Sequence, residues 1–92
     1  MNALEQDQVF VLATHYRFQW EPVQDAYVLL YPEGMVKLGA SAGEILKRVD
    51  GASPVSAIVA DLERAFPGAD LRGDVIAFLG HAREKGWIRV KP

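Results

Sequence analysis

The 92-residue sequence contains no cysteine. It can therefore form no disulfide, and it offers neither a thiolate nucleophile nor thiolate ligands for zinc or an iron–sulfur cluster. It also lacks a basic and then apolar N-terminal signal, and any apolar run of membrane-spanning length. We expect a soluble cytoplasmic protein with no membrane association.

An excess of positive charge is absent as well, because ten Lys and Arg residues stand against twelve Asp and Glu, for a formal net charge of −2. Nucleic-acid binding rests largely on attraction between basic side chains and phosphates. The composition therefore disfavours a nucleic-acid partner.

Residues with catalytic or metal-binding chemistry are scarce. The two histidines are His15 and His81, whereas a metal site needs three or more converging ligands. Ser41, Ser53 and Ser56 occur near predicted helix starts, with no histidine placed to suggest a catalytic triad. The glycines are scattered rather than grouped in a phosphate-binding loop. We predict that the chain is not an enzyme and holds neither a metal nor a cofactor.

A β-hairpin is the best-specified local structure. Ala26–Tyr31 is a nearly continuous apolar strand, and Met35–Leu38 is a second strand. Between them Pro32 stands at the second turn position, where its φ is already correct, and Gly34 follows, where a positive φ is cheap. Tyr16–Trp20 alternates apolar and polar residues, which predicts a preceding strand with three aromatic side chains on one face. We expect an antiparallel sheet in the order 1-2-3, with Met35–Leu38 at an open edge.

Three amphipathic helices are predicted after the hairpin. Ser41 and Glu44 have the spacing of a capping box at the start of the first, and Asp50-Gly51 is typical of its end. Ser53 is the predicted N-cap of the second helix, with Pro54 at its first helical position.

The third helix is predicted from Asp70 to Lys85, and Trp87–Val90 is a short extended segment after it. Helical spacing predicts these buried residues: Ala42, Ile45, Leu46 and Val49 in the first helix, Val55, Ile58, Val59, Leu62 and Phe66 in the second, and Leu71, Val75, Phe78, Leu79 and Ala82 in the third.

A second line on the third helix is apolar in the middle and cationic at both ends: Arg72, Ile76, Leu79 and Arg83. One interpretation is that Ile76 packs on the sheet and the arginines are solvated. The other is that the line forms one wall of a groove.

The chain is long enough for a single modest core. We predict an α+β fold in which a three-stranded antiparallel sheet is followed by a three-helix bundle, with one domain over residues 16–92 and an N-terminal arm over residues 1–15. The apolar run Val9–Leu12 within that arm should dock on the domain.

The sequence resembles the PqqD family, coenzyme PQQ (pyrroloquinoline quinone) synthesis protein D. The resemblance extends from about residue 16 to 90, and the residues that carry it are Arg17, Trp20-Glu21, Leu29-Leu30-Tyr31-Pro32-Glu33-Gly34, Leu38, Ile45-Leu46, Asp50-Gly51, Asp74-Val75, Phe78-Leu79 and Gly86-Trp87-Ile88. Family members carry Pro and Gly ahead of the first strand, where this sequence has Ala13-Thr14-His15.

The resemblance implies a winged-helix-like domain that recognises the leaders of ribosomally made, post-translationally modified peptides (RiPPs). Such a protein is not an enzyme. It is similar to a chaperone that captures the precursor peptide PqqA and presents it to PqqE, a radical S-adenosylmethionine enzyme that cross-links a Glu and a Tyr of the peptide. The iron–sulfur clusters belong to that partner.

Physical reasoning selects a surface for such a peptide. An extended peptide can add a strand to an open sheet edge and use side-chain pockets on an adjacent helix. The predicted peptide-binding residues are Met35, Val36, Lys37 and Leu38 on the edge, and Arg72, Val75, Ile76, Leu79 and Arg83 on the helix. Arg72 and Arg83 would pair with acidic residues of the precursor.

Two other functions compete with this hypothesis. The first is a winged-helix DNA-binding domain, which is disfavoured because Arg72, Arg83 and Lys85 are balanced by three acidic residues, Asp70, Asp74 and Glu84. The second is a dimerisation module, since an open strand edge permits a weak or domain-swapped homodimer.

Overall fold

A computed structural model of the protein describes residues 7–92. These residues fold into two antiparallel sheets and three helices. The elements in chain order are β1 (Phe10–Leu12), β2 (Arg17–Glu21), β3 (Ala26–Tyr31), β4 (Gly34–Lys37), α1 (Ala40–Leu46), α2 (Val55–Ala65), α3 (Arg72–Glu84) and β5 (Ile88–Val90). The α+β class with an antiparallel sheet and three helices is confirmed.

The larger sheet has the order β2-β3-β4, so β3 lies in the middle and β4 at one edge. β4 begins and ends one residue earlier than predicted. The turn between them contains no residue with positive φ, so the expectation of a left-handed Gly34 is wrong. Pro32 and Glu33 alone span the turn, because Tyr31 pairs with Gly34.

Aromatic side chains cover one face of this sheet. Phe18 stacks on Tyr27 with ring centroids 4.7 Å apart, and Trp20 meets Tyr27 edge-on at 5.0 Å. Tyr16 lies 5.4 Å from Tyr31 in the next strand. The alternating pattern of residues 16–20 therefore placed Tyr16, Phe18 and Trp20 correctly on one face.

α1 packs directly on that aromatic face through Gly43. A Cβ atom at Gly43 would lie 2.8 Å from Cδ2 of Tyr27, which is closer than side-chain carbons approach. The glycine is required because the helix backbone rests against the tyrosine ring.

The predicted capping box is wrong. The N-cap of α1 is Gly39, which has no side-chain cap, and Ser41 lies inside the first turn. Glu44 instead forms an ion pair with Arg48 at 2.9 Å. The helix ends at Leu46, so Val49 lies beyond it, although its side chain still packs against the core.

The predicted start of α2 is also wrong by one residue, because Pro54 is the N-cap. The Ser53 hydroxyl donates to Asp50 at 3.1 Å instead of capping the helix. The other carboxylate oxygen of Asp50 accepts the backbone N–H groups of Ser53 and Ala52 at 2.8 and 2.9 Å. These hydrogen bonds hold the pKa of Asp50 below its usual range.

At the end of α2, Phe66 is 45% exposed, so the prediction that it is buried is wrong. Its backbone leaves the helical conformation at φ −128° and ψ 72°, which turns the side chain out of the apolar stripe. The other four residues predicted for this stripe, Val55, Ile58, Val59 and Leu62, are buried.

α3 is shorter than predicted by two residues at its start and one at its end. Val75, Leu79 and Ala82 are fully buried, while Leu71 and Phe78 flank them and are half-buried. Gly86 has the positive φ that ends the helix in a left-handed turn.

The smaller sheet joins the two ends of the described chain. β1 pairs with β5, with Phe10 opposite Val90 and Leu12 opposite Ile88. Phe10 is only 1% exposed. The run expected to dock on the domain therefore completes the core, and its partner is the C-terminal strand.

One hydrophobic core connects the sheets and helices. It contains Phe10, Leu29, Leu38, Ile45, Leu46, Val55, Ile58, Val59, Leu62, Val75, Leu79, Ala82 and Ile88. Within residues 7–92, no helix combines the length and apolarity needed to cross a membrane.

Candidate functional site

The edge strand β4 is the first candidate surface. It pairs with β3 on one side, and no other strand of residues 7–92 pairs with it. The Leu38 N–H donates to the Tyr27 carbonyl at 3.0 Å. Backbone groups in an antiparallel pair alternate in direction along the strand. The N–H and C=O groups of Val36 therefore point toward β3, as those of Leu38 do. The N–H and C=O groups of Met35 and Lys37 therefore face the open edge.

The side chains of β4 differ in exposure. Met35 is 43% exposed and Lys37 is exposed, whereas Val36 is half-buried and Leu38 is buried. Val36 and Leu38 lie on the core face, in the same rows as Leu29 and Tyr27. Val36 and Leu38 thus anchor this segment, and the residues with outward backbone groups, Met35 and Lys37, alternate with them.

The residues predicted to form the helical wall separate into two groups. Val75 and Leu79 are 1% and 0% exposed, which places them in the core. Arg72 and Arg83 are exposed and Ile76 is half-buried, and these three lie along one flank of α3. Ile76 and Val36 pack against the same core cluster, which connects this flank to the edge strand through buried residues.

The charge at this candidate surface is positive. Lys37 on β4 and Arg83 on α3 form no ion pair with any residue from 7 to 92. By contrast, Arg48, two residues past the end of α1, forms ion pairs with Glu44 and Asp61. The hydrogen bond from Arg48 holds the pKa of Asp61 below its usual range.

Among the described residues no group of three or more His, Asp or Glu side chains could hold a metal ion. His81 lies edge-on to the Trp87 ring, with centroids 5.6 Å apart and planes at 87°. An aromatic contact accounts for its position on the helix.

A second candidate surface was missed by sequence reasoning. It is a groove of about 460 Å³, which we call the helical groove, lined mainly by Ser41 and Ile45 of α1, Phe66 at the end of α2, and Leu71, Asp74 and Phe78 at the start and in the first half of α3. Val75, one of the predicted peptide-binding residues, also lines it. Phe66 lies four residues after Leu62, which is the spacing of a core residue. Periodicity alone therefore predicted a buried side chain and gave no sign of the groove. The adjacent Pro67-Gly68 was the signal that the helix, and with it the buried stripe, ends there.

Comparison with known proteins gives a consistent result. Residues 26–88 match the family model described as coenzyme PQQ synthesis protein D (PqqD). The chain is 47% identical over 92 residues to the PqqA binding protein of Stutzerimonas stutzeri strain A1501, an alignment that covers 99% of this chain and 100% of the relative. It is 54% identical over 86 residues to the PqqA binding protein of Pseudomonas aeruginosa strain PAO1, covering 92% and 94%.

The fold is similar to a structure determined in solution. That structure is the PqqD truncation of Methylobacterium extorquens PqqCD, described as a functional and stand-alone RiPP recognition element. The TM-score is 0.78 at 27% sequence identity, with 95% of each chain covered.

Proposed function

The chain belongs to the PqqD family of coenzyme PQQ synthesis proteins, and from this premise we propose that it is a cytoplasmic peptide carrier in pyrroloquinoline quinone biosynthesis. It binds the precursor peptide PqqA and presents it to the radical S-adenosylmethionine enzyme PqqE. The names of its relatives and the recognition-element description of its structural neighbour support this peptide class. In this proposal the chain has a winged-helix-like architecture and performs no chemistry itself.

The observation that carries the proposal is the open edge of β4. Met35 and Lys37 together offer two N–H donors and two C=O acceptors to an extended peptide. The opposite edge of the sheet, β2, has no second partner within residues 7–92 either. We favour β4 because Val36 of β4 and Ile76 of α3 pack against the same core cluster, so a helix surface accompanies this edge.

The binding energy available at this edge suits a carrier. Four backbone hydrogen bonds contribute roughly 1 kcal/mol each, and one or two buried apolar anchors contribute about 1.5–3 kcal/mol each. After the cost of ordering the peptide, the sum corresponds to roughly micromolar binding. Such a complex forms at cellular concentrations and still releases the peptide to an enzyme.

On α3, the residues that would meet the peptide are those at the surface. Ile76 offers an apolar contact between two cations, Arg72 and Arg83, which would pair with acidic side chains of the precursor. The buried residues Leu38, Val75 and Leu79 would support this surface from below.

A titration of the ¹⁵N-labelled protein with synthetic PqqA tests the proposal. We expect amide shifts at micromolar peptide to cluster on residues 35–38 and 72–83, with residues 17–21 of the β2 edge as the internal control. If the shifts were confined to β2, the peptide would bind at the β2 edge and not at β4. If no amide moves at millimolar peptide, with or without PqqE, the chain is not a carrier of this peptide.

A further inference from the structure

α1 and α3 each contribute several residues to the helical groove. On α1, Gly43 faces the sheet, whereas Ser41 and Ile45 are two residues away and therefore rotated by about 200° around the helix. These two residues line the groove together with Ala40, Ala42 and Glu44, so most of the lining that α1 provides lies away from the side that rests on the sheet. We therefore expect a ligand in the groove to leave the edge of β4 accessible.

α3 separates the two surfaces in the same way. Its core residues Val75 and Leu79 divide the helix into two flanks. Asp74 and Phe78 lie on the flank that lines the groove, and Ile76 and Arg83 lie on the other flank. One helix can therefore contact two different partners at once.

The groove has a definite chemistry. Phe66 is 45% exposed at its rim, and half-buried Leu71 and Phe78 continue the apolar lining. Its charged lining residues are both acidic: Glu44, which pairs with Arg48, and Asp74, which forms no ion pair with any residue from 7 to 92. No basic side chain of the described residues lines it. It therefore complements a large apolar side chain with a cation beside it.

We propose that the helical groove is the docking site for the enzyme that receives the peptide, and that the enzyme inserts an apolar side chain flanked by Lys or Arg. The inference rests on the proposed function, because a carrier whose strand edge is occupied must be held by another surface. We expect simultaneous binding because Asp74 and Phe78 of the groove lie on one flank of α3 and Ile76 and Arg83 lie on the other. It allows transfer without prior release of the peptide.

Four variants in the full chain test this docking site. Phe66→Ser removes the exposed aromatic, and Trp20→Ser is its matched control, since Trp20 is 47% exposed but lies on the sheet. Asp74→Lys reverses the charge in the groove, and Asp70→Lys makes the same change at an exposed residue that does not line it. For each, the affinities for PqqA alone and for PqqE are measured separately by calorimetry, with circular dichroism to verify folding.

We expect Phe66→Ser and Asp74→Lys to weaken PqqE binding at least about tenfold, as is typical when a central anchor is removed, and to leave PqqA affinity unchanged. The two controls should stay within about twofold of the parent protein. Unchanged PqqE affinity in both groove variants would overturn the inference. So would a parallel loss of PqqA affinity in folded protein, or a groove-dependent dimer in sedimentation, which would assign the groove to the peptide or to a second copy.

Failure of the proposed function would look different. In that case the parent protein would not bind PqqA, whatever the groove variants do to PqqE.

Discussion

The backbone N–H of Leu38 donates to the carbonyl of Tyr27 across 3.0 Å. This bond sets the direction of every backbone group along β4, because the groups alternate between the neighbouring strand and the open edge. The backbone N–H and C=O groups of Met35 and Lys37 point to the open edge, and those of Val36 point to β3.

Proline substitutions should therefore separate folding from binding. Lys37→Pro removes an outward N–H, so we expect the protein to fold while its affinity for PqqA falls. Val36→Pro removes an N–H that faces β3 and should cost about 1–3 kcal/mol of unfolding free energy, since its acceptor is left unpaired. Urea denaturation and peptide titration of both variants measure the two effects. Edge addition is wrong if Lys37→Pro binds PqqA as well as the parent protein does.

Substituting alanine for glycine should have opposite effects in two helices. Gly43→Ala places a methyl group 2.8 Å from the Tyr27 ring, and such overpacking typically costs about 1–3 kcal/mol. Gly80→Ala in α3 has no atom within 4 Å of the new methyl group and should stabilise the protein by about 0.5–1 kcal/mol. The midpoints of thermal unfolding show whether each variant is less or more stable than the parent protein. If Gly43→Ala were neutral, α1 would not rest on the tyrosine ring.

The N-terminal strand should be indispensable. Phe10 is 1% exposed, so Phe10→Ala is expected to cost about 3–5 kcal/mol, a large part of the stability of a small domain. Phe66→Ala, the same substitution at a 45% exposed residue, should cost far less. Urea unfolding followed by tryptophan fluorescence compares them. Equal losses would contradict the placement of β1 in the core.

Acid should destabilise the protein partly through Asp50. Its pKa is lowered in the folded state, mainly by the N–H groups of Ser53 and Ala52. A lowered folded-state pKa gives a stabilising contribution that is present above about pH 4 and is lost as the pH falls through the folded value. Asp50→Asn keeps an oxygen acceptor but does not titrate. The variant should therefore lose less stability than the parent between pH 5 and pH 2, as measured by urea midpoints. If the two proteins lost stability in parallel, Asp50 would not contribute to the acid destabilisation.

The cations of α3 should contribute modestly to peptide affinity if the proposed function holds. Arg72→Ala and Arg83→Ala are each expected to weaken PqqA binding about two- to fivefold, since exposed ion pairs contribute about 0.2–1 kcal/mol. The loss should shrink at high salt. Lys85→Ala, an exposed cation outside this flank, is the control. Unchanged affinity in both arginine variants removes them from the site.

The sequence by itself determined the elements whose signals are local. Ala26–Tyr31 has the predicted bounds because six apolar residues are followed directly by a proline turn. The core stripe of α3 and its left-handed end at Gly86 follow from helical spacing and from the freedom of glycine. The family resemblance depended on these same residues, and the match over residues 26–88 bears it out.

Only the tertiary structure decided what depends on contacts between distant residues. β1 meets β5 across nearly the whole chain, and two three-residue strands carry no local signal of their partner. Ser41 and Ser53 were plausible caps, but Gly39 and Pro54 occupy those positions because the neighbouring segments set where each helix begins.

The candidate surfaces divide in the same way. An open edge at β4 was predictable from strand order, whereas the outward direction of Met35 and Lys37 required the hydrogen bond between Leu38 and Tyr27. Spacing places Leu79 on both the predicted wall and the predicted buried stripe, and its complete burial in the core cluster decides between them. The helical groove has no sequence signature, because its lining comes from α1, the end of α2 and the first half of α3, which are separate in the chain.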